Sequence, residues 1–510
     1  MNRTLNIKTD EKVLTAKEKK ELAEKFHPDF SLSDYGEIAF GVNKGIKVPK
    51  NLANLLSGKS LTYENKLYEL SPDHVVDTLI IGGGGAGCAA ALEAVKYGSV
   101  ILATKFRLGD GNTLMAEGGI QAADKEGDSE KKHFTDTFKG GSAKGDPTLI
   151  NQLVSHGADT IAFLENLGVG FDKDENGEMI ERYGGGTSFP RMHCAKDCTG
   201  LEMMRVLKKE VFSSDVKILE YLSAVEILTD DNNRAVGAVF VNTENYKKTT
   251  VIYAKSVIVA TGGAGRLYYG DFPTSNSYGS TGDGVVLCYR AGAELVDIDS
   301  LQYHPTGALY PQFLRGALIT EKVRSLGAKL VNNQGKSFID PLETRDVVCA
   351  AIIGECREGR GVNSGKDVGV FLDTPMIDLL HGKGTTETEL PNLYKTYLKA
   401  GIDITKEPIL VYPTLHYQNG GVKIDEFGRT AVKNLYAVGE VAGGVHGRNR
   451  LMGNSLLEVI VFGRIAGEKA GKDSANISVG VPSAANLKKY YGDCKGIKDE
   501  YSPQIMPKIN

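Results

Sequence analysis

The sequence predicts an α/β fold, because one βαβ unit lies near residue 80 and two later strands also end in glycines. The unit begins with the apolar strand VVDTLII at Val75, and the glycine-rich run 82–87 follows it directly. A helix over 89–97 and a second strand, VILAT, complete the unit. The later segments are SVIVATGGAG at 256–265 and LYAVGEVAGG at 435–444. These patterns indicate a Rossmann-like sheet.

Composition and charge narrow the class of protein. The chain has 510 residues, which predicts more than one domain. Its 60 basic and 64 acidic residues give a net charge of −4, which argues against a nucleic-acid binder or a polybasic membrane anchor. Glycine contributes 61 of the 510 residues, about 12% against a usual ~7%. So much glycine in a folded protein suggests a backbone packed closely against a large ligand.

The cysteines and the N-terminal sequence indicate in which cellular compartment the protein is expected. Seven cysteines form no C-x-x-C pair, which predicts free thiols in a reducing compartment and argues against an iron–sulfur cluster or structural zinc within this chain. The first 26 residues lack the apolar core of a signal peptide, and no run of 18 apolar residues occurs. We therefore expect a cytoplasmic location, with a membrane reached only through partner subunits.

The run 82–87 has the spacing G-x-G-x-x-G between a strand and a helix, which is typical of a dinucleotide-binding loop. Glycine lets the backbone approach a pyrophosphate, and the helix N-terminus stabilises the negative charge. The residues expected to bind the cofactor here are Gly82, Gly84, Gly85, Ala86 and Gly87.

The other strand ends favour FAD over NAD. The second strand of the unit ends in Thr104 and Lys105, where NAD-binding proteins and many flavoproteins carry an acid for the adenosine ribose. A threonine hydroxyl can serve as a shorter hydrogen-bonding group. FAD-binding folds assemble their site from distant strands, which the segments 256–265 and 435–444 supply. Glu440 is then the candidate for a ribitol or ribose hydroxyl, the alternative being an exposed loop acid.

Six further motifs occur in one order between residues 76 and 470. They are 112–123, 302–307, 320–324, 344–346, 416–421 and 449–456. Together they resemble the flavoprotein subunit of succinate dehydrogenase and fumarate reductase, whose relatives include L-aspartate oxidase. The resemblance implies that the FAD site also includes Thr104, Lys105, Asn112, Thr113, Gly118, Gly119, Ala260, Thr261, Gly262, Asp283, Glu440, Asn454, Ser455 and Leu456.

The resemblance also implies a site for a small dicarboxylate. Fumarate and succinate carry a carboxylate at each end, so two separate clusters of donors are needed. Arg450 offers a planar fork for one carboxylate, and His416 is similar to the family residue that assists it. His304 and Thr320 are similar to the residues that hold the other end, with Glu321 beside them.

Reduction of fumarate requires a hydride, which reduced flavin N5 supplies in this family, and a proton. By resemblance Arg345 is the proton donor, while Glu321 and Arg324 look like the relay that reprotonates it. Glu321 and Arg324 are three positions apart, which is compatible with a direct pair. The alternative is a structural ion-pair network.

Two departures from the family pattern bear on cofactor and substrate. Asn112 stands where succinate dehydrogenases and quinol fumarate reductases carry a histidine bonded to the flavin, so noncovalent FAD and fumarate reduction are expected. L-Aspartate oxidase is thought to bind its substrate amine through a glutamate, near which this chain has Gly184. An ammonium without a carboxylate partner binds poorly, which favours a plain dicarboxylate.

The predicted architecture is a Rossmann-like FAD-binding domain with an inserted α+β capping domain. The predicted parts are an N-terminal extension (1–75), FAD-binding segments (76–299 and 413–470), a capping domain (300–412) and a C-terminal tail (471–510). The extension should contain a helix over 16–26 and otherwise be extended, as a solvated arm or docking segment. The tail should be irregular.

Three functions remain open from the sequence. The first is the catalytic flavoprotein subunit of a fumarate reductase, or a succinate dehydrogenase in the reverse direction, with electrons from an iron–sulfur subunit or another carrier protein. The second is a flavin oxidoreductase or oxidase acting on aspartate or a substituted succinate. The third is a non-catalytic electron-transfer flavoprotein of a complex.

Overall fold

The computed structural model describes residues 8–9, 14–30, 35–267, 272–494 and 496–505. The helices are α1 (Ala16–Phe26), α2 (Lys50–Leu56), α3 (Leu61–Glu64), α4 (Gly85–Ala94), α5 (Glu130–Gly140), α6 (Pro147–Ser155), α7 (Gly157–Leu167), α8 (Thr199–Phe212), α9 (Asp283–Ala291), α10 (Lys322–Ser325), α11 (Arg345–Arg357), α12 (Pro375–His381), α13 (Thr385–Glu389), α14 (Pro391–Lys399), α15 (Asn454–Ser474) and α16 (Ala485–Asp493).

The described residues also form 22 strands, several of which follow one another without an intervening α-helix. They are β1 (Lys8–Thr9), β2 (Tyr35–Glu37), β3 (Lys47–Pro49), β4 (His74–Ile81), β5 (Val100–Ala103), β6 (Ile120–Gln121), β7 (Glu181–Arg182), β8 (Met192–His193), β9 (Lys217–Leu219), β10 (Leu222–Thr229), β11 (Ala235–Asn242), β12 (Thr249–Val259), β13 (Leu295–Val296), β14 (Leu301–Ala308), β15 (Leu330–Val331), β16 (Lys336–Ser337), β17 (Val362–Ser364), β18 (Asp367–Leu372), β19 (Ile409–Gln418), β20 (Gly421–Lys423), β21 (Leu435–Ala437) and β22 (Ala442–Gly443).

The first large sheet contains the predicted βαβ unit. Its strand order is β10-β11-β12-β4-β5-β9, with β21 also paired to β12. β4 pairs in parallel with both β5 and β12, and β12 pairs in parallel with β21. The three predicted strand-then-glycine segments therefore end at the same edge of one sheet, which is where α/β proteins bind their ligands.

Helix α4 begins at Gly85, four residues before the predicted start, and ends at Ala94 rather than residue 97. The glycines of the loop themselves form its first turn. Its small residues allow α15 to pack closely: a Cβ added at Gly467 of α15 would lie 2.3 Å from the carbonyl oxygen of Ala90. Both helices also contact β4, so the pair packs against the strand that leads into the glycine loop.

A second large sheet has the strand order β1-β16-β15-β18-β19-β14, with β17 beside β18. β14 and β19 are antiparallel, and His304 faces Thr414 in their register. Helix α11 packs on these strands and closes a separate apolar core. The region predicted as the capping domain is thus rich in strands and helices. Its boundaries at 300 and 412 stay a prediction.

The predicted N-terminal extension has helix α1 at the predicted bounds, and a capping box of Thr15 and Glu18 begins it. The prediction of an otherwise extended, solvated arm is wrong for the described residues of this segment. β2, β3, α2 and α3 form there, and Leu52 and Leu56 are buried in the main core. Their spacing of four residues on α2 gives the helix an apolar face.

The tail is also more ordered than predicted. α16 covers Ala485–Asp493, and the hydroxyl of its buried Tyr490 donates to the carbonyl oxygen of Gly58 at 2.7 Å. Arg290 of α9 donates to the carbonyl oxygen of Ser502 at 2.8 Å. The aromatic and arginine contacts therefore hold the tail onto the core, although its sequence is polar. Residues 495 and 506–510 lie outside the described part.

None of the helices in the described residues is long and apolar enough to cross a membrane. All seven cysteines lie in the described part and are free thiols.

Candidate active site

The glycine loop after β4 is shaped by close backbone contacts on one side and open space on the other. A Cβ at Gly87 would lie 1.9 Å from the carbonyl oxygen of Gly82, and one at Gly82 would lie 2.3 Å from that of Ala260. A Cβ at Gly84 would meet only the hydroxyl of Thr113, at 3.8 Å. The Thr113 hydroxyl accepts from the N–H of Gly85, and Gly84 at the N-cap position has no side chain that could cap α4. The loop therefore presents backbone N–H groups and room for a phosphate.

Four predicted FAD-binding residues near this loop have partners within the protein. Lys105 forms a buried ion pair with Asp283, and its Nζ also donates to the hydroxyl of Thr281 at 3.0 Å. Thr104 is buried beside Gly83. Thr113 accepts from the N–H of Gly85 at 3.2 Å. The positive charge of Lys105 and the negative charge of Asp283 therefore compensate each other within the predicted FAD site.

Asn112 and Glu440 are in direct contact. The amide of Asn112 donates to Glu440 Oε2 at 3.0 Å, and the backbone N–H of Gln418 donates to Oε1 at 3.1 Å. Glu440 is only 6% exposed, so the interpretation of an exposed loop acid is wrong. Burial raises its pKa, and the bonds from Gln418 and Asn112 oppose that rise. Its binding of a ribose or ribitol hydroxyl stays a prediction.

Of the other predicted cofactor residues, some lie beside open space and some are packed inside the protein. Gly262 adopts a positive φ of 75° with nothing within 4 Å of an added Cβ, and the buried hydroxyl of Thr261 beside it has no hydrogen-bond partner among the described residues. The open space at Gly262 and at Gly84 fits a bound dinucleotide, whereas the Thr261 hydroxyl lies against Gly284 of α9. By contrast, the Asn454 amide donates to Thr137 at 2.9 Å and Leu456 lies in the main core.

Gly118 and Gly119 are in close contact with sulfur-containing side chains. A Cβ at Gly118 would lie 2.7 Å from Cε of Met452, and one at Gly119 would lie 2.4 Å from Cγ of Met192. These two glycines keep the segment 118–121 tight against β8 and the N-terminus of α15.

Glu321, Arg324 and Arg345 form one buried network. Glu321 Oε2 accepts from Arg324 Nη2 and from Arg345 Nε, both at 2.9 Å, and its Oε1 accepts from the N–H of Gly185 at 2.7 Å. Burial would raise the pKa of Glu321, but the two guanidinium charges and the Gly185 N–H lower it to about 2. The carboxylate is therefore ionised and rigidly held between the two arginines.

Gln302 was not predicted as a site residue, yet it joins two that were. Arg345 Nη1 donates to Gln302 Oε1 at 2.9 Å, and Gln302 Nε2 donates to the carbonyl oxygen of Arg450 at 2.7 Å. Gln302 lies two residues before His304 on β14, so both side chains share a face of the strand. That alternation was the sequence signal that could have identified it.

Arg450 stacks over Tyr417, with its guanidinium carbon 4.4 Å from the ring centre. Its Nη1 donates to the hydroxyl of Ser455 at 3.0 Å, while its buried Nε has no hydrogen-bond partner in the described part of the chain. Burial and the charge of Arg345 lower the pKa of Arg450 to about 10, which still leaves it charged at neutral pH. Tyr417 is a second residue that the sequence did not identify as part of the site.

The rings of His304 and His416 lie 5.3 Å apart, edge to face. Burial and the charge of Arg345 lower the pKa of both well below the usual range, so both are neutral at pH 7. His416 Nδ1 is 2.9 Å from the hydroxyl of Ser275. Thr320 is buried next to Glu321. The predicted substrate residues therefore lie around Arg345 in one buried region.

The described residues thus combine a loop typical of dinucleotide binding with a buried cationic site that suits an anion. The chain matches the family model described as FAD binding domain over residues 77–456. It belongs to this family of FAD-dependent oxidoreductases.

Several known proteins are similar to this chain over most of its length. One subunit of the fumarate reductase (CoM/CoB) of Methanothermobacter marburgensis is 42% identical over 427 residues, which cover 81% of this chain and 75% of that protein. L-Aspartate oxidase of Vibrio cholerae is 35% identical over 409 residues, covering 76% and 74% respectively. The solved structure of a mutant of E. coli quinol fumarate reductase FrdA has a TM-score of 0.75 and 32% identity, covering 83% of this chain and 74% of that one. The α/β fold, the FAD cofactor and the resemblance to fumarate reductase and succinate dehydrogenase flavoproteins are thus confirmed.

Proposed function

We propose that the protein is a catalytic flavoprotein that reduces fumarate to succinate, or carries out the reverse reaction. The observation that supports it most directly is charge: Arg324, Arg345 and Arg450 carry three positive charges and Glu321 one negative charge, all buried. The excess of positive charge over these four side chains suits an anionic substrate such as fumarate. Burial strengthens such electrostatic attraction, because little water screens it.

In this proposal the two carboxylates of the substrate bind at opposite ends of the site. Arg450, oriented by Tyr417 and Ser455, binds one of them with help from His416. His304 and Thr320 bind the other. A neutral histidine donates a hydrogen bond to a carboxylate without adding charge. The site therefore selects a dicarboxylate by the distance between its two ends and by the number of donors at each end.

The flavin, when bound and reduced, would supply a hydride to one carbon of the double bond and be oxidised to FAD. Arg345 donates the proton to the other carbon. Glu321 and Gln302 hold Nε and Nη1 of Arg345, which fixes the plane of the guanidinium and the direction of Nη2. The ionised Glu321 then accepts a proton from Arg324 and passes it to Arg345, and solvent returns a proton to Arg324. A neutral arginine is accessible here only because it is one link in a chain with a carboxylate at its centre.

We further propose that an iron–sulfur protein, or another carrier protein, delivers electrons to the FAD. The relatives support this, because the Methanothermobacter protein is named as one component of a fumarate reductase. The cytoplasmic location stays a prediction of the sequence.

Oxidation of aspartate is the alternative that the L-aspartate oxidase relatives raise. Around Gly184 the three atoms nearest to an added Cβ belong to Met192, Met452 and Thr187. No carboxylate among the described residues is that close, and the carboxylate of Glu321 near Gly185 already binds Arg324 and Arg345, so an ammonium group placed there lacks a free counter-charge. This favours a substrate without an amine.

The test compares the reduction of fumarate with the oxidation of aspartate, in the wild-type protein and in an Arg345 variant. The wild-type protein is reduced anaerobically, mixed with fumarate, and followed at the visible flavin band. We expect rapid reoxidation in the wild type and in the control Arg360→Lys, whose ion pairs lie at the surface end of α11. In Arg345→Lys reoxidation should slow at least 100-fold with FAD still bound. Unchanged reoxidation in Arg345→Lys would refute the role of Arg345, and turnover with aspartate but not fumarate would refute the substrate.

A further inference from the structure

A cluster of three potential metal ligands lies outside the proposed active site. His193 Nε2 is 3.1 Å from Asp124 Oδ1 and 3.3 Å from Glu181 Oε1. All three ligand atoms lie within 4.8 Å of one another. Glu181 of β7 and His193 of β8 are directly opposed across an antiparallel strand pair, so the fold itself places them together.

The separations match those around a tetrahedral metal. Zinc binds imidazole nitrogen and carboxylate oxygen at ~2.0–2.2 Å, which places neighbouring ligand atoms of a tetrahedron about 3.3 Å apart. The two distances from His193 have that value within a few tenths of an ångström. One imidazole and two carboxylates form a donor set that suits zinc, and water completes the coordination.

A second observation points to a missing cation. His193 is fully buried, the Glu181 side chain is 10% exposed, and Glu181 Oε1 has no hydrogen-bond partner among the described residues. A single proton on His193 Nε2 can be directed at only one of the two carboxylates. The carboxyl groups of Asp124 and Glu181 are hydrogen-bonded to each other, so one proton is shared between the two acids. A metal ion bound to all three ligand atoms takes the place of that proton and gives Glu181 Oε1 a partner.

We propose that Asp124, Glu181 and His193 bind one divalent zinc ion, contrary to the expectation from the cysteine pattern, because none of the three ligands is a cysteine. The ion joins the segment that follows β6 to both ends of the loop between β7 and β8. That loop carries Gly185, whose N–H donates to the Glu321 carboxylate at 2.7 Å. The metal is therefore structural: it fixes the loop that positions Glu321, and it takes no part in redox chemistry.

The test uses the full-length FAD-bound protein, treated with EDTA and then titrated with Zn²⁺ against a chromophoric chelator. We expect one Zn²⁺ per chain with micromolar or tighter affinity, and a rise in the midpoint of thermal unfolding. Asp124→Asn and His193→Gln should each weaken binding at least 10-fold. The matched control is Glu178→Gln, which removes one negative charge three residues before Glu181, at an exposed position where the side chain pairs with Lys125.

The outcomes separate clearly. Loss of binding in both ligand variants, with the control unchanged, supports the site. Wild-type protein that binds no Zn²⁺ overturns it, as does binding that survives both substitutions at wild-type affinity. Asp124 contacts His193 from an exposed part of the chain, so Asp124→Asn keeps the test decisive even where His193→Gln fails to fold.

Discussion

Glu321→Gln tests the buried network most sharply. The substitution keeps the size of the side chain but leaves Arg324 and Arg345 without their shared anion. The pKa of Glu321 falls from 4.5 to about 2, which at about 1.4 kcal/mol per pKa unit corresponds to about 3 kcal/mol of folding free energy at neutral pH. Removing one member of a buried ion pair costs ~3–5 kcal/mol, in agreement with that value.

The pH dependence has a definite sign. Because the folded-state pKa is lower than the unfolded one, the stabilisation is complete above pH 4.5 and is lost as the pH falls from 4.5 towards 2. The stability difference between wild type and Glu321→Gln should therefore be the same at pH 6 and pH 8. Turnover with fumarate should fall at least 100-fold at both values.

The assay is urea unfolding of both FAD-bound proteins, followed by turnover of the same samples. Glu355→Gln is the matched control, because Glu355 is also buried and pairs with Arg360 and Asn332 at the other end of α11. It should lose stability but keep turnover. If Glu321→Gln unfolds at the wild-type urea concentration and turns over within twofold of wild type, the proposed network has neither its structural nor its catalytic role.

Three further predictions follow from buried groups. Burial lowers the pKa of His133 to about 4 and also lowers those of His304 and His416, so folding stability should fall below pH 6.5 by up to ~2 kcal/mol per histidine at pH 5; equal urea midpoints at pH 7 and pH 5 would contradict this. Arg450→Lys loses the planar fork and the stack on an aromatic ring, and should raise KM for fumarate at least 10-fold, which steady-state kinetics would measure. Asn112 cannot form the histidyl bond of the covalent relatives, so acid precipitation should release all FAD into the supernatant; flavin fluorescence that stays on the denatured chain would rule this out.

The nucleotide-binding half of the fold could be predicted because its signals are local. A strand, a glycine run and a helix adjoin within residues 75–97, and G-x-G-x-x-G has one common structural context. The start of α4 at Gly85 was missed because glycine has a poor helix propensity, which close packing against α15 overrides here.

The N-terminal segment and the tail could not be predicted in the same way. Their burial depends on contacts distant in sequence, such as Tyr490 with Gly58 and Arg290 with Ser502. Polar composition gave no sign of these contacts. In the site, Gln302 and Tyr417 were missed for a similar reason, since each acts by orienting an arginine that comes from another part of the chain.

The most direct test of the central proposal is a single turnover with product analysis. Anaerobically reduced wild-type protein is mixed with fumarate, flavin reoxidation is followed in the visible band, and succinate is quantified. We expect rapid reoxidation and one succinate per FAD. A flavin that stays reduced in folded, FAD-loaded protein after fumarate is added would contradict the proposed reaction.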